Sequence, residues 1–299
     1  MHQREFLPIL VLALACIFWG TSWYPLRLLN GLGFNGLFII LFAHVLLALT
    51  FLPAVRRSDV SKRNGPYLVG IAIAGGLAIF SFTYALIYGD VVRVMVLFYL
   101  LPVWGVLGGR IFLQERIDRF RWLGVGLALI GAFLILGGAK IFEAPPSWMD
   151  ALALLSGMGF AANNLLFRGV GHLSLPTKLF SMFAGCAFIT GVLFMLGASG
   201  SALPVSSLSN WAWLLLYTFT WLLLANLGSQ WAVERMEAGR SSIIIIVELL
   251  AAIFSAMLID DKRLSGIEWL GCVLVVSAAL LEAHKPNLGD KREQLAKGL

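Results

Sequence analysis

Long apolar runs, separated by short polar stretches, extend along almost the whole chain. They are apolar around the full helical circumference, which is typical of helices that are buried or face lipid. They are too long and alternate too little for the strands of a membrane barrel. The pattern predicts an all-α integral membrane protein with ten transmembrane helices, over residues 6–29, 34–54, 66–88, 91–113, 120–139, 148–170, 176–197, 209–231, 240–259 and 266–283.

Two prolines fall well inside the predicted helices. Pro25 lies in the first helix and Pro102 in the fourth. Proline lacks a backbone N–H and its ring clashes with the carbonyl four residues earlier. We therefore expect the first and fourth helices to kink or open locally.

Composition supports a membrane protein and excludes several other classes. Hydrophobic residues make up 60% of the chain and charged residues only 13%, against about 25% in a soluble domain. A soluble enzyme, a disordered chain and a nucleic-acid-binding domain are thereby excluded. The three cysteines all lie in apolar runs, so we interpret them as buried apolar residues rather than disulfides or metal ligands.

The basic residues divide unequally between the two sides of the predicted topology. With the N-terminus in the cytoplasm, 17 of the 22 Lys and Arg residues fall on the cytoplasmic side. The positive-inside rule then predicts that both termini are cytoplasmic. The first apolar run continues past Cys16, so we expect an uncleaved helix rather than a signal peptide. The basic turn over residues 110–121 is interpreted as facing lipid headgroups.

An internal repeat divides the chain. A shift of 147 residues places 90–93 on 237–240 and 122–124 on 269–271. The shift predicts two five-helix halves, residues 1–140 and 141–285, followed by a cytoplasmic tail over 286–299. Because five is odd, the second half enters the membrane inverted. Inverted repeats place a substrate site near the midplane between the halves.

Several short motifs resemble a known transporter family. They are Trp-Gly-Thr-Ser at 19–22, Leu-Leu-Pro-Val at 100–103, Gln-Glu-Arg at 114–116 and Trp-Leu-Gly at 122–124. Together they resemble the EamA domain of the drug/metabolite transporter superfamily, over essentially the whole chain. Within it, the chain is most similar to the YddG-type bacterial exporters of aromatic amino acids. The resemblance implies ten helices in two five-helix units and export to the periplasm across the bacterial inner membrane.

Matched positions in the first helix of each half suggest a binding pocket. A shift of 141 residues places Ser22 and Trp23 on Asn163 and Asn164. Indole rings can stack on an aromatic substrate, and amides can bind its amino and carboxylate groups. Alternatively, the tryptophans form an interfacial belt and the asparagines join helices. The predicted substrate-binding residues are Trp19, Ser22, Trp23, Tyr84, Tyr99, Asn163, Asn164 and Gln230.

Charged residues inside or near the predicted helices are the other candidates. Glu248 lies in the middle of the ninth helix, where a charge costs a few kcal/mol. It is interpreted either as a proton or substrate-ammonium site, or as a buried structural carboxyl. Two pairs three residues apart, Asp90 with Arg93 and Glu237 with Arg240, are candidate salt bridges that latch a gate.

The leading hypothesis is a monomeric secondary transporter that exports aromatic and other apolar amino acids by alternating access. Its expected partners are this small-molecule substrate and the lipid bilayer, without a cofactor, metal or nucleic acid. An exporter of a broader set of metabolites or cationic drugs is the alternative within this class. An intramembrane enzyme or a non-transporting scaffold are alternatives of other classes. No HExxH, GxSxG, P-loop or Cys/His cluster occurs in the sequence.

Overall fold

The computed structural model describes residues 3–89, 91–138, 145–197, 207–259 and 263–284, and the regular secondary structure in these ranges is entirely helical. Fourteen α-helices follow one another in these ranges, with a 3₁₀ turn at Leu52–Ala54 and a π-helical segment at Tyr217–Leu222. The helices are α1 (Gln3–Thr21), α2 (Trp23–Gly31), α3 (Gly36–Phe51), α4 (Gly65–Tyr88), α5 (Val91–Phe98), α6 (Leu101–Phe112), α7 (Arg119–Ile135), α8 (Trp148–Gly169), α9 (Leu175–Met195), α10 (Leu208–Leu216), α11 (Leu223–Val233), α12 (Ala238–Ile245), α13 (Val247–Ile259) and α14 (Gly266–Ala283).

Nine segments of the described residues are long and apolar enough to cross a membrane. They correspond to predicted helices one to four and six to ten. The predicted fifth helix corresponds to α7, which has 17 residues and is not among the nine. The multi-pass helical membrane fold is therefore confirmed, whereas the number ten stays a prediction.

Four of the nine spans are interrupted rather than continuous. The first breaks at Ser22, between α1 and α2, and the fourth breaks between α5 and α6. These breaks lie just before Pro25 and Pro102, as expected from the missing N–H and the clash with the preceding turn. The predicted interruptions of the first and fourth helices are thus confirmed.

The other two interrupted spans contain no proline, so the sequence did not predict their interruptions. The seventh of the nine spans contains the π-helical segment, and the eighth breaks at Ile246, between α12 and α13. Within α12, the hydroxyls of Ser241 and Ser242 both donate to the carbonyl of Ala238. Such hydroxyl bonds compete with the helical ladder and bend helices in membranes.

Glycines set how closely the helices approach. A Cβ on Gly131 of α7 would lie 2.8 Å from the carbonyl oxygen of Gly271 on α14, and a Cβ on Gly271 would lie 2.7 Å from that of Gly131. Such close backbone packing replaces the hydrophobic driving force that lipid does not provide between helices. It holds α7 flat against α14, which is itself a membrane span.

Candidate functional site

Three of the helix breaks converge on Glu248. Its carboxyl lies in the first turn of α13 and accepts a hydrogen bond of 3.0 Å from the hydroxyl of Tyr99, inside the α5–α6 break. Gly20, near the end of α1, packs against the Glu248 backbone so tightly that a Cβ would collide with its carbonyl oxygen. The thiol of Cys16 donates to the carbonyl of Ile245 at 3.7 Å. Glu248 is therefore held where α1, α5–α6 and α12–α13 meet, and 8% of its surface is exposed.

The two predicted tryptophans of the first span have different surroundings. The indole nitrogen of Trp23 donates to the hydroxyl of Ser255 on α13 at 2.9 Å. Trp19 packs against an apolar core to which α3 and α9 contribute most of the buried residues. Its indole nitrogen is buried and has no hydrogen-bond partner among the described residues. The hydroxyl of Ser22 donates to the carbonyl of Trp19 at 2.7 Å, so it is engaged by its own helix.

The adjacent asparagines of α8 face different neighbours. Asn164, 1% exposed, accepts a bond of 3.3 Å from the side-chain amide of Gln230 on α11. Asn163 donates only a weak bond of 3.6 Å to the sulfur of Met182 on α9. A Cβ on Gly75 of α4 would lie 2.7 Å from the Asn163 amide oxygen. Successive residues on a helix point about 100° apart, so the structure brings only Asn164 together with Gln230.

Three buried amide atoms in this region lack a partner in the described part of the chain. They are the oxygens of Asn163 and Gln230 and the side-chain nitrogen of Asn164. Leaving such a group unpaired costs about 1–3 kcal/mol. Buried groups that remain unpaired therefore call for an explanation. A polar ligand would be one explanation, since it could accept from the Asn164 nitrogen and donate to the Asn163 and Gln230 oxygens.

A cluster of aromatic rings lies beside Tyr99. Phe98 lies 5.3 Å from Tyr99, 4.4 Å from Phe82 and 6.0 Å from Phe160, measured between ring centroids. Tyr84 lies nearer the end of α4 and contacts the rings of Phe80 and Trp148. An aromatic surface therefore exists beside the Tyr99–Glu248 pair, and the described contacts of Tyr84 belong to a separate cluster.

The candidate gate pairs are only partly described. Asp90 and the side chain of Arg93 lie outside the described residues. Glu237 accepts a hydrogen bond of 2.5 Å from Arg121 on α7. Arg240 donates to the carbonyl of Ala283, at the end of α14, at 2.8 Å. These partners of Glu237 and Arg240 thus lie on other helices, α7 and α14, and the local Glu237–Arg240 salt bridge stays a prediction.

Arg121 corrects the interpretation of the basic turn as a lipid-facing segment. It is 4% exposed, with Glu237 at 2.5 Å, Glu282 at 3.5 Å and Glu115 at 3.8 Å. Charged groups are rarely buried unless they are paired. Two of these three glutamates, Glu237 and Glu282, lie more than 100 residues away in sequence, so counting basic residues in one loop could not reveal the burial of Arg121.

The ion pairs around Arg121 extend across several helix ends. Glu115 accepts from the guanidinium of Arg168 at 3.2 Å and from the amide nitrogen of Ala238, at the start of α12, at 2.8 Å. Lys178 forms an ion pair with Glu234. We call this group of side chains the ionic cluster; it comprises Glu115, Arg121, Arg168, Lys178, Glu234, Glu237, Arg240 and Glu282. It joins the ends of α8, α11 and α14 to the starts of α7, α9 and α12.

A second polar link at this end involves a loop aspartate. One carboxylate oxygen of Asp59 accepts from the amide nitrogen and hydroxyl of Ser174, at 3.0 and 2.6 Å, and from the hydroxyl of Thr177, at 2.9 Å. Burial alone would raise the pKa of Asp59, but the hydrogen bonds from Ser174 and Thr177 outweigh it and hold the pKa below its ordinary value. The α3–α4 loop is thereby fastened to the start of α9.

This lowered pKa predicts a pH-dependent contribution to stability. A depressed folded-state pKa stabilises the fold above the ordinary aspartate pKa of about 3.9, and the contribution is lost as the pH falls through the folded value. We expect Asp59→Asn to unfold at a lower temperature than wild type in detergent at neutral pH. The difference between the two unfolding temperatures should become smaller at about pH 3. In the control Asp150→Asn, the pH dependence of the unfolding temperature that is due to Asp59 should remain. If Asp59→Asn kept the wild-type pH dependence of the unfolding temperature, the stabilising role of the Asp59 carboxylate would be contradicted.

Comparison with known proteins supports the membrane assignment. Residues 6–137 match the EamA-like transporter family. This part of the chain is similar to the EamA-like transporters. Over 244 residues the chain is 21% identical to the uncharacterized membrane protein YMR253C of Saccharomyces cerevisiae, covering 72% of this chain and 56% of that protein. The chain thus spans little more than half the length of this curated relative.

A solved structure shares the fold. A chain described as a crystal structure of a protein superposes with a TM-score of 0.74 at 16% identity, covering 92% of this chain and 96% of that one. At this identity the likeness shows the fold alone. The family match and the membrane fold together favour a transporter over an enzyme.

Proposed function

We propose that the protein is a secondary transporter that exports aromatic and other apolar amino acids from the cytoplasm across a bacterial inner membrane. The observation that carries this proposal is the set of buried polar atoms that have no partner among the described residues and belong to membrane-spanning helices. Trp19 offers an indole donor, Asn164 an amide donor and Gln230 an amide acceptor. An apolar amino acid has a carboxylate, an ammonium group and an apolar side chain that match these features.

A substrate pose follows from this chemistry. The substrate carboxylate accepts from Trp19 and Asn164, and its ammonium group donates to Gln230. Its side chain packs on the neighbouring indoles, of which Trp23 is already oriented by Ser255. In this pose the neutral amide groups bind the zwitterion without burying an unpaired protein charge.

The packing pattern supports two inverted repeats. The breaks at Tyr99 and Ile246 are separated by the same shift of 147 residues that relates the two halves in sequence. The helix α1 packs against α11 and α13, and its counterpart α8 packs against α4 and α6. Such pairing favours alternating access, in which one half rocks against the other around a site between them.

The orientation can be tested by cysteine labelling. Because 17 of 22 basic residues fall on one side, we expect a single cysteine at Ser61 to react with a membrane-impermeant maleimide only from the cytoplasm. A cysteine at Ser147 should react from the periplasm. Each variant is made in a background without Cys16, Cys186 and Cys272, which serves as the unlabelled control. Periplasmic labelling of Ser61 would reverse the topology.

Transport by the purified protein tests the function directly. Liposomes containing the protein should move labelled tryptophan and phenylalanine faster than protein-free liposomes, and should not move a sugar phosphate, since deep basic residues for a phosphate are lacking among the candidate site residues. Transport of a cationic dye without tryptophan or phenylalanine would instead favour the broader drug and metabolite exporter. Movement of neither class would refute both.

A further inference from the structure

Glu248 brings a carboxyl group to the junction of three interrupted spans, and the substrate pose described above does not use it. We propose that Glu248 is a proton-binding site and that its protonation couples proton entry to substrate export. This inference rests on the proposed transport function and identifies its coupling ion. It depends on three features of the junction: the absence of a counter-cation from the described residues, the bond between the predicted halves, and the position at the helix breaks.

Opposing effects act on the protonation state of the Glu248 carboxyl. Burial in a membrane favours the neutral acid. The α13 N-terminus and the hydroxyl of Tyr99 favour the carboxylate. Within the described ranges, no Lys, Arg or His forms an ion pair with Glu248. Without a fixed cation, a proton is the partner that can neutralise this group.

Other titratable groups near Glu248 do not supply a permanent counter-charge. Tyr99 faces it from the α5–α6 break, and Cys16 faces it from α1. The charged side chains of α12 and α14 are engaged at their helix ends. Among these, Arg240 bonds the carbonyl of Ala283 and Glu282 pairs with Arg121, while Glu268 caps the start of α14. A change in the protonation of Glu248 therefore changes the local charge by one unit.

The geometry separates this site from the amide pair that binds substrate. Asn164 and Gln230 join α8 to α11, whereas Glu248 lies on α13 and bonds Tyr99. In the part of the chain that the structure describes, no hydrogen bond joins Glu248 to either amide. The helix α1 packs against both α11 and α13, so it can transmit a movement from one site to the other.

The Tyr99–Glu248 bond links the two predicted halves, which gives protonation a mechanical consequence. A hydroxyl bond to a carboxylate is about twice as strong as one to a neutral acid. Loss of the proton therefore tightens this link, and protonation loosens it. Since both residues lie at helix breaks, the difference biases the equilibrium between two arrangements of the halves. Coupled export then requires that protonation of Glu248 and substrate binding at the separate amide pair favour different arrangements of the halves.

The test uses proteoliposomes with labelled tryptophan as the probe and the membrane potential clamped by valinomycin. With one proton exchanged per substrate, a gradient of one pH unit should support about a tenfold tryptophan concentration ratio in wild type. In Glu248→Gln this ratio should fall to about one, while tryptophan exchange at equal pH persists. Wild-type exchange that ignores the pH gradient would overturn proton coupling and leave the transporter assignment intact. Loss of exchange in a folded Glu248→Gln protein would identify Glu248 as a substrate-binding residue and also overturn it.

Two further measurements separate the proton site from the choice of substrate. Infrared spectroscopy of the purified protein should show a carboxylic acid band that titrates with pH and is absent from Glu248→Gln. Its presence supports the proton site even if tryptophan is not transported, and its absence from wild type overturns it. Tyr99→Phe removes the hydroxyl that favours the carboxylate, so the titration should move to higher pH. The matched control Tyr217→Phe, at a buried tyrosine of the π-helical segment, should leave it unchanged.

Discussion

Arg121→Gln should destabilise the protein by about 3–5 kcal/mol, because it leaves buried carboxylates without their cation. The carboxylates of Glu115, Glu237 and Glu282 lie within 3.8 Å of the Arg121 guanidinium. With glutamine in its place, their mutual repulsion is no longer compensated in a buried environment. The free energy of unfolding in detergent, measured by denaturant titration, should be lower than that of wild type by this amount.

Two comparison variants make this prediction specific. Arg119→Gln removes an exposed charge two residues earlier and should change stability by no more than about 0.5 kcal/mol. Adding Glu237→Gln to Arg121→Gln removes one of the stranded carboxylates and should recover part of the loss. Equal stability of the Arg121 and Arg119 variants would mean that the ionic cluster contributes nothing to the fold.

Asn164→Ala should weaken the binding of all transported amino acids by about 1.5–3 kcal/mol, since it removes a hydrogen bond to a charged substrate group. This corresponds to roughly a 10- to 150-fold higher dissociation constant. Trp23→Ala should instead weaken aromatic substrates by about 1 kcal/mol through lost stacking, with less effect on small ones. Dissociation constants for tryptophan and alanine, measured with purified protein, distinguish the two patterns.

Asn226→Ala is the matched control for these variants. Asn226 is also a buried amide on α11, one turn before Gln230, but its side chain donates to the carbonyl of Leu222 in its own helix. Its loss should leave tryptophan affinity near the wild-type value. If Asn164→Ala and Trp23→Ala also keep wild-type affinity, the substrate pocket lies elsewhere and these side chains only pack.

The membrane class and most helix positions could be predicted from the sequence alone. Each span is determined by its own local sequence, because a helix in lipid must form its backbone hydrogen bonds within itself and present apolar side chains. The breaks near Pro25 and Pro102 were equally local, since proline removes a donor from its own helix. The break at Ile246 was missed, because no proline marks it; the serine hydroxyls of α12 bond the Ala238 carbonyl earlier in the same span.

Only the tertiary structure decided which polar groups meet. Tyr99 and Glu248 are 149 residues apart, and Arg121 and Glu237 are 116 apart. Hydropathy and charge counts specify that these residues are costly to bury, but not the rotation of each helix that selects their partners. The same rotation turns Asn164 towards Gln230 and Asn163 towards α4 and α9. The sequence by itself therefore determined that the chain crosses a membrane with polar groups inside it, whereas helix packing decided which of these groups pair and which lack a partner among the described residues.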